Sequence, residues 1–162
     1  MDVRRFGPDE WELLRDMRLR ALADSPLAFG STLAREKDRA EADWRGWVGR
    51  RDGAMFALVD QEAWLGIAGT YVEPEQPGVV WVVSMWVAPE GRRRGAGRRL
   101  LDACVQWARQ RGAAEARLWV TSGNQSARAL YEAAGFEPTG ATQPLPSDPT
   151  LQELELSLGL GP

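Results

Sequence analysis

The chain has 162 residues, of which 44% are apolar and 27% charged, a composition typical of one globular domain over residues 1–162. Its net charge of −3 argues against a nucleic-acid partner, and a P-loop is excluded because the only lysine, Lys37, does not stand in such a motif. Histidine is absent and Cys104 is the only cysteine, so Ser-His and Cys-His catalysis are excluded and no metal site is expected.

The sequence shows neither a signal peptide nor a membrane span. Its first residues lack an apolar stretch, and the longest apolar run, at residues 79–88, is about half the length that a membrane-spanning helix needs. We therefore expect a cytoplasmic protein without a membrane partner.

The N-terminal half predicts a strand, two helices and a hairpin. Residues 2–6 suit a short strand, and apolar side chains recur at helical spacing over residues 9–22. A second, more polar helix is predicted over residues 32–50, where core packing is the simplest role for Trp44 and Trp47. Residues 54–60 and 63–72 flank a short polar step and predict an antiparallel hairpin, followed by a turn at residues 73–78.

The C-terminal half predicts three more strands and two helices. Residues 79–87 are apolar on both alternating faces, which is typical of a central strand covered on both sides. Helices are predicted over residues 97–112, with Gly112 as the C-cap, and over residues 126–134. Strands are predicted at residues 116–121 and 151–158, and the proline-rich residues 141–150 are predicted to form a surface loop.

The turn before the helix at residues 97–112 holds an unusual concentration of positive charge. Five arginines lie in the eight positions from Arg92 to Arg99, although the free N–H groups and the dipole of a helix N-terminus favour acidic side chains. A phosphate bound by the exposed N–H groups of a glycine turn and by guanidinium groups would remove this conflict. The segment therefore predicts an anion site.

Two phosphate-binding sequence patterns could apply to this segment. The dinucleotide pattern G-x-G-x-x-G fits poorly, because Leu100 stands where the third glycine belongs and no acidic residue ends the next strand. The pattern R-x-x-G-x-G is met by Arg92, Gly95 and Gly97.

With its flanking strands, this segment resembles the acetyl-CoA-binding motif of the GNAT acetyltransferase superfamily. The resemblance continues through a set of downstream positions: Leu118, Trp119, Val120, Asn124, Ala127, Leu130, Tyr131, Glu132, Gly135 and Phe136. It is strong over residues 79–136 and only topological elsewhere. It implies an α/β (α+β) fold with a mostly antiparallel central sheet, splayed at the acetyl-CoA-binding strand and flanked by helices.

The resemblance also implies roles for individual residues. The backbone of Met85, Trp86 and Val87 would bind the pantetheine arm, with the Val87 N–H polarising the thioester carbonyl. The pyrophosphate would be held, mostly by main chain, at Arg92, Arg93, Arg94, Gly95, Ala96, Gly97 and Arg98. Asn124, by its position a helix N-cap, would also contact pantetheine. Tyr131 would lie near the thioester sulfur and protonate the leaving thiolate, since a phenol stays protonated at neutral pH.

The general base is the least determined part of the site. An alkylammonium group must lose a proton before it can attack, yet the strands at residues 79–87 and 116–121 contain no carboxylate. Glu73 is the leading candidate, with Glu75 beside it in the same turn and Glu36 and Asp38 next. Cys104 lies on the apolar face of its helix and is interpreted as a packing residue, so transfer without a covalent enzyme intermediate is expected.

The resemblance thus predicts an N-acetyltransferase that moves an acetyl group from acetyl-CoA, without a metal, to a primary amine on a small molecule or peptide. Two alternatives stay open: a module that binds acyl-CoA without transferring the acyl group, and an acyltransferase for longer acyl-CoA donors. The resemblance also suggests a homodimer. Four tryptophans are candidates for lining an aromatic acceptor groove: Trp44, Trp47, Trp64 and Trp86.

Overall fold

The computed structural model describes residues 1–161. Within them, seven strands form one sheet: β1 (Asp2–Arg5), β2 (Gly53–Asp60), β3 (Ala63–Tyr71), β4 (Val79–Val87), β5 (Glu115–Thr121), β6 (Glu137–Leu145) and β7 (Asp148–Gly159). Their spatial order is β1-β2-β3-β4-β5-β7-β6, which places β4 at the centre. The described helices are α1 (Trp11–Asp24), α2 (Leu33–Glu36), α3 (Glu41–Val48), α4 (Ala96–Gln110) and α5 (Gln125–Ala133).

The sheet opens between β4 and β5. These two strands are parallel, whereas the other neighbouring pairs are antiparallel, and they pair only from Val79 opposite Glu115 to Trp81 opposite Arg117. Farther along, β4 is bent by a bulge against β3, at which Ser84 takes a left-handed φ of 57°. The predicted fold class and the predicted splay at the central strand are both confirmed.

Helices cover both faces of the sheet. On one face, α4 buries Leu100, Leu101 and Cys104 against the alternate β4 residues Val80 and Val82. On the other face, α1 and α3 pack Leu14 and Trp44 against Ile67 of β3. The core role predicted for Cys104 and for Trp44 is confirmed, since both are at most 1% exposed.

The single helix predicted over residues 32–50 is wrong, because the chain forms α2 and α3 with a break at residues 37–40. Thr32 caps α2 by accepting a hydrogen bond from the Arg35 N–H (3.2 Å). Asp43 starts α3 by accepting one from the Ala40 N–H (3.2 Å). The break directs Glu36 into the interior, where it is 1% exposed.

The loop predicted over residues 141–150 is also wrong. β6 extends to Leu145 and β7 begins at Asp148, so most of this segment belongs to a hairpin. β6 lies at the edge of the sheet, and an edge strand tolerates proline because backbone N–H groups on its outer side have no neighbouring strand to donate to. Pro138 and Pro144 therefore lie within the strand. None of the helices in residues 1–161 is long and apolar enough to cross a membrane.

Candidate active site

A groove of about 630 Å³ lies where β4 and β5 diverge. Its walls are the end of β4, the end of β5, the first turn of α4 and one side of α5. The predicted cofactor residues that line it are Met85, Trp86, Val87, Arg92, Arg93, Gly95, Ala96, Gly97, Arg98, Asn124 and Tyr131. Arg94 is the exception, since it points to Asp60 instead (2.7 Å).

The entrance to α4 presents its backbone to this groove. Arg93 and Gly95 take left-handed φ angles of 61° and 77°, which curl the chain ahead of the helix. The N–H groups of Ala96, Gly97 and Arg98 have no hydrogen-bond acceptor within residues 1–161. A Cβ added at Gly97 would lie 3.0 Å from a Leu130 methyl group, so glycine allows α4 and α5 to pack closely beside the groove. The turn can therefore bind an anion through main-chain donors.

Most arginines of the turn are already paired within the protein and are therefore less available to bind a phosphate. Arg92 binds the Asp24 carboxylate (2.5 Å) and donates to the Val87 carbonyl (2.9 Å), and Arg98 binds Asp102 (2.9 Å). Arg93 is the one among Arg92–Arg99 with no side-chain partner in the described chain. The conflict seen in the sequence is thus largely resolved by acidic partners, and Arg93 is the guanidinium best placed to reach a phosphate.

Asp24 accepts hydrogen bonds from three residues that line the groove. Its carboxylate accepts hydrogen bonds from the Trp86 indole (3.0 Å) and the Ser25 hydroxyl (2.7 Å) as well as from Arg92. These donors, led by Trp86, hold the pKa of Asp24 at about 2. Asp24 is therefore ionised at neutral pH and ties the end of α1 to the end of β4.

Tyr131 forms part of the groove wall from α5. The side chain is 6% exposed, and burial raises the pKa of its phenol, so the group is protonated at neutral pH. Asn124 begins α5 by accepting a hydrogen bond from the Ala127 N–H (3.3 Å), which confirms it as the predicted N-cap. Both residues thus reach the groove from one short helix.

A second cavity, of about 320 Å³, adjoins the groove and shares Ala28 and Trp119 with it. The indoles of Trp81 and Trp119 lie 6.2 Å apart with planes only 7° from parallel. Both side chains belong to the α1 face of the sheet, because Trp81 is in register with Arg117 and alternate residues share a face. The second cavity therefore has a flat aromatic wall.

Two buried charged groups also line the second cavity. Arg18 of α1 forms two hydrogen bonds of 2.9 Å with Glu36 and one of 3.2 Å with the Ser84 hydroxyl. Burial acts to raise the pKa of Glu36, but the bonds and charge of Arg18 outweigh it and lower that pKa. Glu153 of β7 is 7% exposed and accepts a hydrogen bond from the Gln143 amide (2.5 Å). Burial raises the pKa of Glu153, against the opposing effect of Gln143.

The predicted base and most of the tryptophans predicted to line an acceptor groove lie outside the two cavities. Glu73 accepts a hydrogen bond from the Tyr71 hydroxyl (3.2 Å) and lines neither cavity, so its role as the base stays a prediction. Of the four tryptophans predicted to line an acceptor groove, only Trp86 lines one of these two cavities, and it belongs to the groove.

Sequence reasoning missed Glu153. Its strand alternates Glu153, Glu155 and Ser157 with leucines, a pattern that indicates a solvent-facing side. The residues that surround the Glu153 side chain in the second cavity come from distant parts of the chain, so no local sequence pattern predicts its burial.

Comparisons with known proteins agree with this geometry. Residues 16–136 match the model of the acetyltransferase (GNAT) family. A mycothiol acetyltransferase of Kocuria rhizophila is 34% identical over 136 residues, which is 81% of this chain and 43% of that protein. One from Rhodococcus jostii is 33% identical over 106 residues, 63% of this chain and 35% of that protein. The chain thus spans less than half the length of these curated relatives.

A solved structure shows the same fold. YncA of Salmonella typhimurium, solved with its cofactor acetyl-CoA, aligns with a TM-score of 0.81 at 17% identity, covering 100% of this chain and 95% of that one. The family match covers most of the sequence and includes both the arginine-rich turn and Tyr131. The chain belongs to the GNAT acetyltransferase family.

Proposed function

We propose that this protein transfers an acetyl group from acetyl-CoA directly to a primary amine of a small molecule. The observation that supports this most is the contact of two cavities at Trp119, where β4 and β5 diverge. A cofactor in the groove and an acceptor in the second cavity would meet there without a covalent enzyme intermediate. Cys104 is the only cysteine in the sequence, and it is fully buried, whereas a nucleophilic thiol must be accessible to its substrate.

The groove supports acetyl-CoA as the donor. The N–H groups at the start of α4, which have no acceptor within residues 1–161, and the neighbouring Arg93 suit the pyrophosphate. Past Trp81, β4 has no β5 partner, so the edge formed by Met85, Trp86 and Val87 can bind the pantetheine arm as a strand would. The thioester would then lie near Tyr131, whose phenol protonates the leaving sulfur.

The second cavity supports a small acceptor. A volume of about 320 Å³ lies at the low end for small-molecule sites and leaves little room for a folded protein surface. The curated relatives are named mycothiol acetyltransferases, which also supports a small molecule over a protein acceptor. The cytoplasmic location and the homodimer predicted from the sequence stay predictions.

The test is release of CoA thiol from acetyl-CoA across a panel of small primary amines, with Tyr131→Phe as the variant. We expect Tyr131→Phe to lower kcat by about 10²-fold, the usual contribution of a general acid, while the Kd for acetyl-CoA measured by calorimetry stays unchanged. Binding of acetyl-CoA without thiol release from any amine would contradict the proposal and favour a module that only binds acyl-CoA. Faster release from succinyl-CoA would instead indicate a longer acyl donor.

A further inference from the structure

We propose that Glu153 accepts the proton that the acceptor amine gives up, and that the second cavity selects a small primary amine with a flat apolar body. This inference rests on the proposed function and names its base and its substrate class. Among the residues described, Glu153 is the one carboxylate that lines either cavity.

The sheet places Glu153 beside the point of transfer. In the register of β5 with β7, Glu153 lies opposite Thr121, and Thr121 lines the groove while Glu153 lines the second cavity. Directly opposed residues of antiparallel strands have side chains about 5 Å apart at Cβ. Tyr131 approaches from the α5 side of the sheet, and Glu153 projects on the Trp81 and Trp119 side, so acid and base would act from opposite faces.

The charges around Glu153 leave it free to bind a cation. Its carboxylate forms no ion pair within residues 1–161 and has Gln143 as its hydrogen-bond partner there. Arg18, the other charged side chain lining this cavity, is held by Glu36 on α2. Tyr71, facing the cavity from β3, has its pKa raised to about 12 by burial and by Glu73, so it is neutral at pH 7. An entering ammonium group would therefore be attracted to Glu153.

The proton balance requires such a group. An alkylammonium with a pKa near 10.4 is neutral in only about one molecule in 10³ at pH 7, and it loses two protons in becoming an amide. Glu153 takes the first and later releases it to solvent, which leaves a neutral nitrogen to attack the thioester carbon. As the C–S bond breaks, Tyr131 protonates the sulfur, and the second nitrogen proton, passed through solvent, restores the phenol.

The aromatic wall indicates what the rest of the acceptor looks like. The near-parallel indoles of Trp81 and Trp119 offer flat apolar contacts, and Phe29 and Tyr71 also line the cavity. In the sheet, the two tryptophans lie on one side of Glu153 and Gln143 lies on the other. Such surfaces favour a ring or another flat apolar group, and they also attract a nearby cation. We expect 2-phenylethylamine to exceed ethylamine in kcat/KM by about tenfold or more, as burial of a ring requires.

The experiment measures CoA release with acetyl-CoA and 2-phenylethylamine from pH 5.5 to 9.5 for wild type, Glu153→Gln and Glu153→Asp. Glu155→Gln is the matched control, because Glu155 lies two residues along β7, binds Thr139 and lines neither cavity. We expect Glu153→Gln to lower kcat/KM for the amine by about 10²-fold at pH 7, with a residual rate that rises with the fraction of neutral amine. Glu153→Asp should recover part of the loss, and the Kd for acetyl-CoA should not change.

Several outcomes would overturn the inference. If Glu153→Gln stays within threefold of wild type with the same pH profile, Glu153 is not the base although the proposed function stands. A large loss in Glu73→Gln without one in Glu153→Gln would assign the base to Glu73 instead. Equal kcat/KM for ethylamine and 2-phenylethylamine would reject the substrate class. Bound acetyl-CoA with no thiol release from any amine would reject the proposed function itself.

Discussion

Replacing Glu36 by glutamine should destabilise the protein strongly and change the charge that lines the second cavity. The Glu36 carboxylate is 1% exposed and Arg18 only 9%, and two hydrogen bonds of 2.9 Å join them. A glutamine of the same shape can accept from one guanidinium N–H, but its own NH₂ would face the other donor. The variant therefore leaves a buried cation without its counter-ion.

Removing one partner of a buried ion pair costs about 3–5 kcal/mol. Arg18 keeps its bond to Ser84 and touches the second cavity, where water can reach it, so we expect the low end, about 3 kcal/mol. For a chain of this size that corresponds to a fall in Tm of about 6–12 °C. Because the pKa of Glu36 is lowered in the folded state, its stabilisation is present above the unfolded pKa of about 4.5 and is lost as pH falls through the folded pKa.

The assay is thermal unfolding at pH 7, with Glu41→Gln as the control. Glu41 forms an exposed ion pair with Arg45 (3.3 Å), with the two side chains 57% and 50% exposed, so its loss should cost less than about 1 kcal/mol. The uncompensated Arg18 should also raise KM for a cationic amine. A Glu36→Gln protein that melts within 2 °C of Glu41→Gln would refute the account of this pair.

Three further outcomes follow from local geometry. Gly95→Ala must place a side chain at a φ of 77°, so it should cost about 1–2 kcal/mol in urea unfolding and weaken acetyl-CoA binding in calorimetry. Asn124→Ala removes the cap of α5 and should cost about 1 kcal/mol in the same unfolding assay, whereas Asn124→Asp, which keeps an acceptor, should cost little. Burial raises the pKa of the Cys104 thiol, so a thiol reagent should modify it only as fast as the protein unfolds; rapid labelling of native protein would contradict the packing role.

The elements that line the groove could be predicted from the sequence because their signals are local. The apolar strand β4, the glycine turn and the amphipathic helix α4 each follow from residue type and spacing within about 30 consecutive positions. Gly112 takes the left-handed φ of 74° expected of a residue just past a helix. These elements agree with the predicted bounds to within a few residues.

The second cavity could not be predicted because it depends on tertiary placement. Glu36 is buried against Arg18, 18 positions earlier in the sequence, and that contact accompanies the break in the predicted helix over residues 32–50. Pro144 suggested a loop, yet edge position decides whether a strand tolerates proline. Trp81 and Trp119 lie on strands that come together only in the folded sheet, so their stacking has no signal in either segment.

The central claim, an acetyl-CoA site in the groove between β4 and β5, is tested most directly by thermal unfolding with acetyl-CoA, CoA, NAD or ATP. A ligand at about 100 times its Kd stabilises the native state by about 2.7 kcal/mol, or roughly 5–11 °C here. We expect that shift in Tm with acetyl-CoA and with CoA, but not with NAD or ATP. In Gly95→Glu we expect neither CoA species to raise Tm above that of the same variant without ligand. No shift with either CoA species, or a shift with NAD instead, would contradict the claim.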